Sequence, residues 1–162
     1  GGSVMADYNR TLIAALVLSA AGLVGVAVDE NYCGKACPDP VLGTKVPTLG
    51  FGSTGGVKMG DTTTPPKALG RMLRDLQTFE GSLKRCVQVP LYQYEYDAYV
   101  NLAYNIGPTA FCGSTITKRL NKGDYAGACD AFLMWDKFQG RALRGLTLRR
   151  ERERAMCLGE TP

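Results

Sequence analysis

Residues 11–52 read TLIAALVLSAAGLVGVAVDENYCGKACPDPVLGTKVPTLGFG, and the way this stretch divides decides the fold. Thr11 to Val28 carries no charge, and its eighteen residues are long enough, as a helix, to cross a hydrocarbon core. Alanines, two glycines, a serine and a threonine dilute the run, so its hold on lipid is weak for its length. Glu30 follows two residues later, then Asp39 in a segment dense in Gly and Pro, then Pro47-Thr48-Leu49-Gly50-Phe51-Gly52. A membrane-length segment is thus joined almost directly to acidic residues.

Outward from this stretch, the chain has the size and balance of one compact domain: 162 residues, 45% hydrophobic and 21% charged. Residues 1–4 read as a cloning remnant, 5–28 as a releasable signal-anchor segment and 29–162 as the folded domain. Arg10, just before the apolar run, gives a thin positive-inside signal that places the amino terminus in the cytoplasm and the rest outside. A cleaved signal peptide, with Gly25-Val26-Ala27 as the cut site, is the alternative.

Cys33, Cys37, Cys86, Cys112, Cys129 and Cys157 all lie beyond the run, and an even count in an exported domain favours disulfides, with fifteen possible pairings. A zinc site is disfavoured by the lack of histidine and of any Cys-x-x-Cys pair, so no metal or cofactor is expected. The missing histidine also excludes Ser-His-Asp hydrolases, Cys-His proteases and His-ligated zinc peptidases, and no Walker loop is present. Carboxylate chemistry remains. The net charge of +4, concentrated between Arg141 and Arg154, suits an acidic cell-wall polymer or a salt-bridged helix face; nucleic acid is not an expected partner.

Residues 31–63, rich in Gly, Pro, Thr and Asp, predict loops with a small sheet, and the rest predicts helices. Thr64-Pro65-Pro66 opens one helix, with Leu69, Met72, Leu73, Leu76, Phe79 and Leu83 as its apolar stripe. Residues 91–106 predict a second helix, stopped at Gly107-Pro108, with Tyr94, Ala98, Leu102 and Tyr104 near one face. Shorter helices are expected over 114–120, 124–135 and 146–158, with Trp135 in the core. The fold class is α+β, mostly α.

These residues resemble the phage-type lysozymes, in which a helix-borne Glu precedes a β-hairpin carrying an Asp and a Thr. Glu30, Asp39 and Thr48 match that set. Val89-Pro90-Leu91-x-Gln93, Asp97-Ala98, Ala103-Tyr104-Asn105-Ile106-Gly107, Phe111-Cys112-x-Ser114-Thr115, Leu120-Asn121-x-Gly123-Asp124, Trp135 and Arg149-Arg150-x-x-x-Arg154 follow in the family's order. The apolar leader narrows the resemblance to signal-anchor-release endolysins of phages with Gram-negative hosts. Two departures stand out. The nine steps from Asp39 to Thr48 exceed the family's usual six, which makes Thr44 a fallback for the Thr; and Ser53 stands where the family often has a histidine, so that histidine is not essential here.

The resemblance implies hydrolysis of the β-1,4 bond between N-acetylmuramic acid and N-acetylglucosamine in peptidoglycan, with inversion, by a monomer held inactive at the periplasmic face of the inner membrane through residues 11–28 and freed into the periplasm to lyse the host. The chemistry points the same way. A carboxyl beside an apolar helix is the better proton donor because burial raises its pKa, and an ionised Asp39 with the Thr48 hydroxyl suits a water on the opposite ring face. Inversion predicts carboxyls roughly 6.5 to 9.5 Å apart. The resemblance also implies Cys86–Cys112 and Cys129–Cys157 bridges, leaving Cys33–Cys37 by remainder. Since no cysteine lies in the leader, control is expected to be topological, with the leader becoming the first helix of the freed domain. A non-catalytic cell-wall binding module and a membrane-anchored lysis accessory are the competing readings.

Overall fold

The computed structural model describes residues 9–39 and 42–160. The described residues form two compact units, one from Ala20 to Phe79 and one from 9–19 together with 80–160. The apolar run is therefore divided between them.

In the first unit, α1 (Ala20–Asp29) buries Gly22 and Val26 and is followed by the hairpin of β1 (Tyr32–Asp39) and β2 (Gly43–Phe51). The strands are antiparallel, pairing Cys33 with Gly50, Cys37 with Thr48 and Asp39 with Gly43, with register irregularities after Cys33 and after Pro38. Residues 61–63 bond to the outer edge of β1, Ala36 N to Asp61 O at 2.7 Å and Thr63 N to Gly34 O at 2.8 Å. Ala36, Leu49 and Val57 form the small core beneath.

The helix α2 (Pro65–Cys86) begins in this unit, buries Ala68, Met72 and Leu76, and continues into the other. Leu69 and Leu73, expected in the buried stripe, are exposed. Gly50 explains the shift: at φ 65° its backbone lies so near Ala68 that an added Cβ would stand 2.7 Å from the Ala68 Cβ. That contact turns the Ala68 row inward and the Leu69 row out.

The second unit is built around α3 (Gln93–Ile106), buried on every side from Glu95 to Ala103, so the expected single apolar face is too narrow a description. Gly107, at φ 90°, ends it, and Pro108 opens α4 (Pro108–Cys112). Ser114 caps α5 (Thr115–Asn121), and Asp124 caps α6 (Tyr125–Asp130) through the Gly127 N–H at 2.9 Å. The expected 124–135 helix gives way after Asp130 to a 3₁₀ turn over Ala131–Trp135. Trp135 is only partly buried; Tyr99, Phe111 and Phe132 occupy the core instead, with ring centroids 5.5 to 5.9 Å apart. A two-residue ribbon, β3 (Lys137–Phe138) and β4 (Arg141–Ala142), precedes α7 (Arg144–Cys157). Disulfides join Cys33 to Cys37, Cys86 to Cys112 and Cys129 to Cys157.

The leader is not one helix. Among its described residues only α1 is α-helical; Ile13–Ala15 is a 3₁₀ turn and Leu16 to Ser19 has no regular structure. Side chains far along the chain take its backbone groups. The Leu18 N–H donates to Glu80 at 2.6 Å and the Ser19 N–H to Asp97 at 3.0 Å, while Gln93 donates to the Val17 carbonyl at 2.8 Å and Lys84 to the Leu16 carbonyl. Thr11 and Leu91 exchange two backbone bonds of 2.9 Å. In lipid only an intact helix could satisfy these groups. Among the described residues, no helix is long and apolar enough to cross a membrane.

Candidate active site

Glu30, Asp39 and Thr48 all belong to the first unit. Glu30 stands one residue past α1, its N–H still bonded to the Val26 carbonyl at 3.1 Å, so the helix end fixes its backbone. Its partly buried carboxylate rests on Gly52, just beyond β2. A Cβ at Gly52 would meet Glu30 Oε2 at 2.7 Å, and φ there is 79°, so glycine is required twice over, by space and by conformation. The Thr-x-Gly-x-Gly ending of the hairpin therefore has a direct part in seating the acid. Its sequence pattern was legible, but its contact with Glu30 was not.

Asp39 ends β1 and accepts the Leu42 N–H at 2.7 Å, which ties its carboxylate to the hairpin turn. Thr48 sits opposite Cys37, its hydroxyl 3.4 Å from the Cys37 carbonyl and 3.3 Å from the Cys37 sulfur. Thr44, the fallback, is exposed and follows Gly43, the residue paired with Asp39. Ser53 is buried and donates to Asp75 on α2 at 2.7 Å. This bond anchors the hairpin exit beside Gly52 without an imidazole. Among the described residues, no group of three or more Cys, Asp or Glu is arranged to hold a metal ion.

Gly52→Ala is expected to push the Glu30 carboxylate aside. With Glu30 in the role that the resemblance implies, hydrolysis of cell walls should fall by about ten- to a hundredfold, because an ångström of misplacement has that scale of effect. Gly56→Ala carries the same positive-φ strain, at 68°, with nothing within 4 Å of the added carbon, and should cost about 1 kcal/mol of stability with activity retained. Equal activity losses in the two variants would show that strain alone is responsible.

Comparisons with known proteins agree with this architecture. The phage lysozyme family profile matches residues 29–153. The chain is 39% identical over 146 residues to the endolysin of Salmonella phage P22, covering 87% of this chain and 97% of that protein. It is 36% identical to the SAR-endolysin of Pseudomonas phage phiKMV, covering 90% and 89% respectively. Among solved structures, the endolysin of Escherichia coli O157:H7 phage FAHEc1 superposes with a TM-score of 0.79 at 32% identity, over 91% of this chain and 96% of that one. With a family profile that spans most of its length and endolysin relatives covered almost end to end, the chain belongs to the phage lysozyme family and is a glycoside hydrolase of the muramidase type.

Proposed function

We propose that Glu30 protonates the leaving oxygen of the β-1,4 bond between N-acetylmuramic acid and N-acetylglucosamine in peptidoglycan, while Asp39 and Thr48 orient and deprotonate a water on the opposite face of the sugar, with inversion. The observation that carries this reading is the seat of the Glu30 carboxylate on Gly52, at the exit of the hairpin that bears both other residues. A proton donor must be held still relative to the group that delivers water, and a hairpin that carries Asp39 and Thr48 and meets Glu30 at Gly52 supports that reading. The test is turbidity loss of permeabilised Gram-negative cells by wild type and Glu30→Gln, with the first-formed product anomer read by NMR. Equal clearing by the two proteins defeats the assignment of Glu30, and a first-formed β anomer defeats inversion.

The second part of the proposal concerns control. Residues 11–28 tether the chain to the inner membrane, inactive, and their exit into the periplasm completes the domain and leads to host lysis. The phiKMV relative, a SAR-endolysin, supports this, as does a leader whose backbone groups are taken by Glu80, Lys84, Gln93 and Asp97 in the folded protein. The freed enzyme is a monomer. Ala21 is exposed and an added Cβ at Gly25 meets nothing within 4 Å, so leucine at both raises the leader's apolarity with little effect on folding. The Ala21→Leu/Gly25→Leu protein is expected to stay in the membrane fraction, its soluble share falling more than tenfold. Unchanged release measured by fractionation would sink the tethering account.

A further inference from the structure

Arg10 adjoins the first residue of the apolar run, yet in the folded chain its side chain is enclosed, at 14% exposure. Its Nη2 bonds Glu95 Oε1 at 2.8 Å and its Nε bonds Oε2 at 3.1 Å, the two-point geometry that a guanidinium offers and an ammonium cannot. The guanidinium carbon lies 3.6 Å from the centroid of the Tyr125 ring and 4.4 Å from that of Tyr92. Each wall of this enclosure is separately braced. Glu95 Oε2 accepts the Tyr92 N–H at 2.8 Å as part of the α3 cap, and the Tyr125 hydroxyl donates to the Pro90 carbonyl at 2.9 Å. Beside it, the paired backbones of Thr11 and Leu91 hold the entering segment.

We propose that Tyr92, Glu95 and Tyr125 form a guanidinium-binding site whose ligand is Arg10 of the same chain, and that its occupation latches the freed leader into the folded enzyme. The inference rests on reading residues 11–28 as a releasable anchor. While that run spans the bilayer, Arg10 lies at its cytoplasmic end and the cage, which follows the run in sequence, lies on the periplasmic side. The cage is filled only after the whole run and Arg10 itself have crossed, so it responds to complete exit and not to partial withdrawal. Until then Glu95, at 3% exposure, lacks the charge that neutralises it in the folded chain. The same positive charge resists crossing: a potential negative inside disfavours its outward movement by about fifty-fold per 100 mV. One residue thus opposes release while the membrane is energised and secures the product once it is not.

The full chain in Gram-negative cells tests this, with the soluble periplasmic fraction measured as a protonophore lowers the membrane potential, and the thermal midpoint of the released protein measured after purification. Glu95→Gln keeps an acceptor for the Tyr92 N–H and so preserves the cap while removing the charge. It should leave the potential at which release begins unchanged, cut the soluble fraction about fivefold and lower the midpoint by about 5 °C. Arg10→Gln should lower the midpoint equally but begin release at a more negative potential. Arg10→Lys should keep the wild-type threshold with a lowered midpoint. The Arg10→Gln/Glu95→Gln double variant should melt no lower than either single one. Singles with the wild type's release and midpoint, a strictly additive double, or a chain never found in the membrane would overturn the latch. Turbidity loss, measured in parallel on the wild type, reports on the hydrolase reading alone: failure to clear walls with the release and melting pattern intact would reject that reading and uphold the latch.

Discussion

Glu30→Gln is expected to reduce cell-wall hydrolysis by about three orders of magnitude with no measurable change in thermal stability. The amide copies the carboxyl in size and leaves the contact with Gly52 sterically intact, but it has no acidic proton to give to a leaving oxygen. Positioned general acids contribute about 10²- to 10⁴-fold, and the expected loss falls within that range. With Glu30 in the proposed role of proton donor, the change should appear in the rate at saturating cell-wall substrate and not in the amount of enzyme bound to the walls. Cosedimentation of the variant with intact peptidoglycan separates the two quantities. A non-catalytic binding module would show the same binding and no activity in the wild type either, so the pair of measurements distinguishes a disabled enzyme from a protein that never was one.

The small sheet and the long helices were legible because each is marked by local signals: prolines at helix starts, glycine at 107, and a stretch over 31–63 dense in Gly, Pro, Thr and Asp. What local signals missed has a common cause. The leader's eighteen uncharged residues have the composition of a single helix, and that helix is broken near Leu16 by side chains 62 to 78 positions away. No periodicity within the run encodes their arrival. The same holds for Ala68, which enters the core in place of Leu69 because a glycine backbone from the hairpin sits against it. At the site, the residue types were readable, whereas the direction of the Thr48 hydroxyl toward Cys37 depends on hairpin register, which shifts twice along β1.

The last helix shows how a charge run can be read in two ways and decided by burial. The arginines of α7 were expected to lie on a solvated or salt-bridged face; Arg149 and Arg150 are buried, the latter completely, and Arg154 alone of the three pairs at the surface, with Asp130 at 2.6 Å. Glu153 supports both buried guanidinium groups. It accepts from Arg149 Nε at 3.0 Å and from Arg150 at 2.9 Å, while Arg149 also reaches Asn101 on α3 at 3.1 Å. The signal was in the spacing: Glu153 stands four residues after Arg149 and three after Arg150, on the same helix face. Glu153→Ala should therefore destabilise the protein by about 3 to 5 kcal/mol, since it leaves a fully enclosed Arg150 without its counter-charge, and this far exceeds the loss of an exposed pair. The Arg154→Ala variant, whose partner is half exposed, is the matched control and should cost no more than about 1 kcal/mol. Replacing the buried pair together, as Arg150→Met/Glu153→Leu, removes one of the two guanidinium groups that lose Glu153 and should recover about half of the loss, because buried Arg149 still loses that partner. Denaturant unfolding of the four proteins measures these differences. A Glu153→Ala cost as small as that of Arg154→Ala would mean that water reaches Arg150 in solution and that α7 is held in place by packing on α3 and by the Cys129–Cys157 bridge to α6 instead.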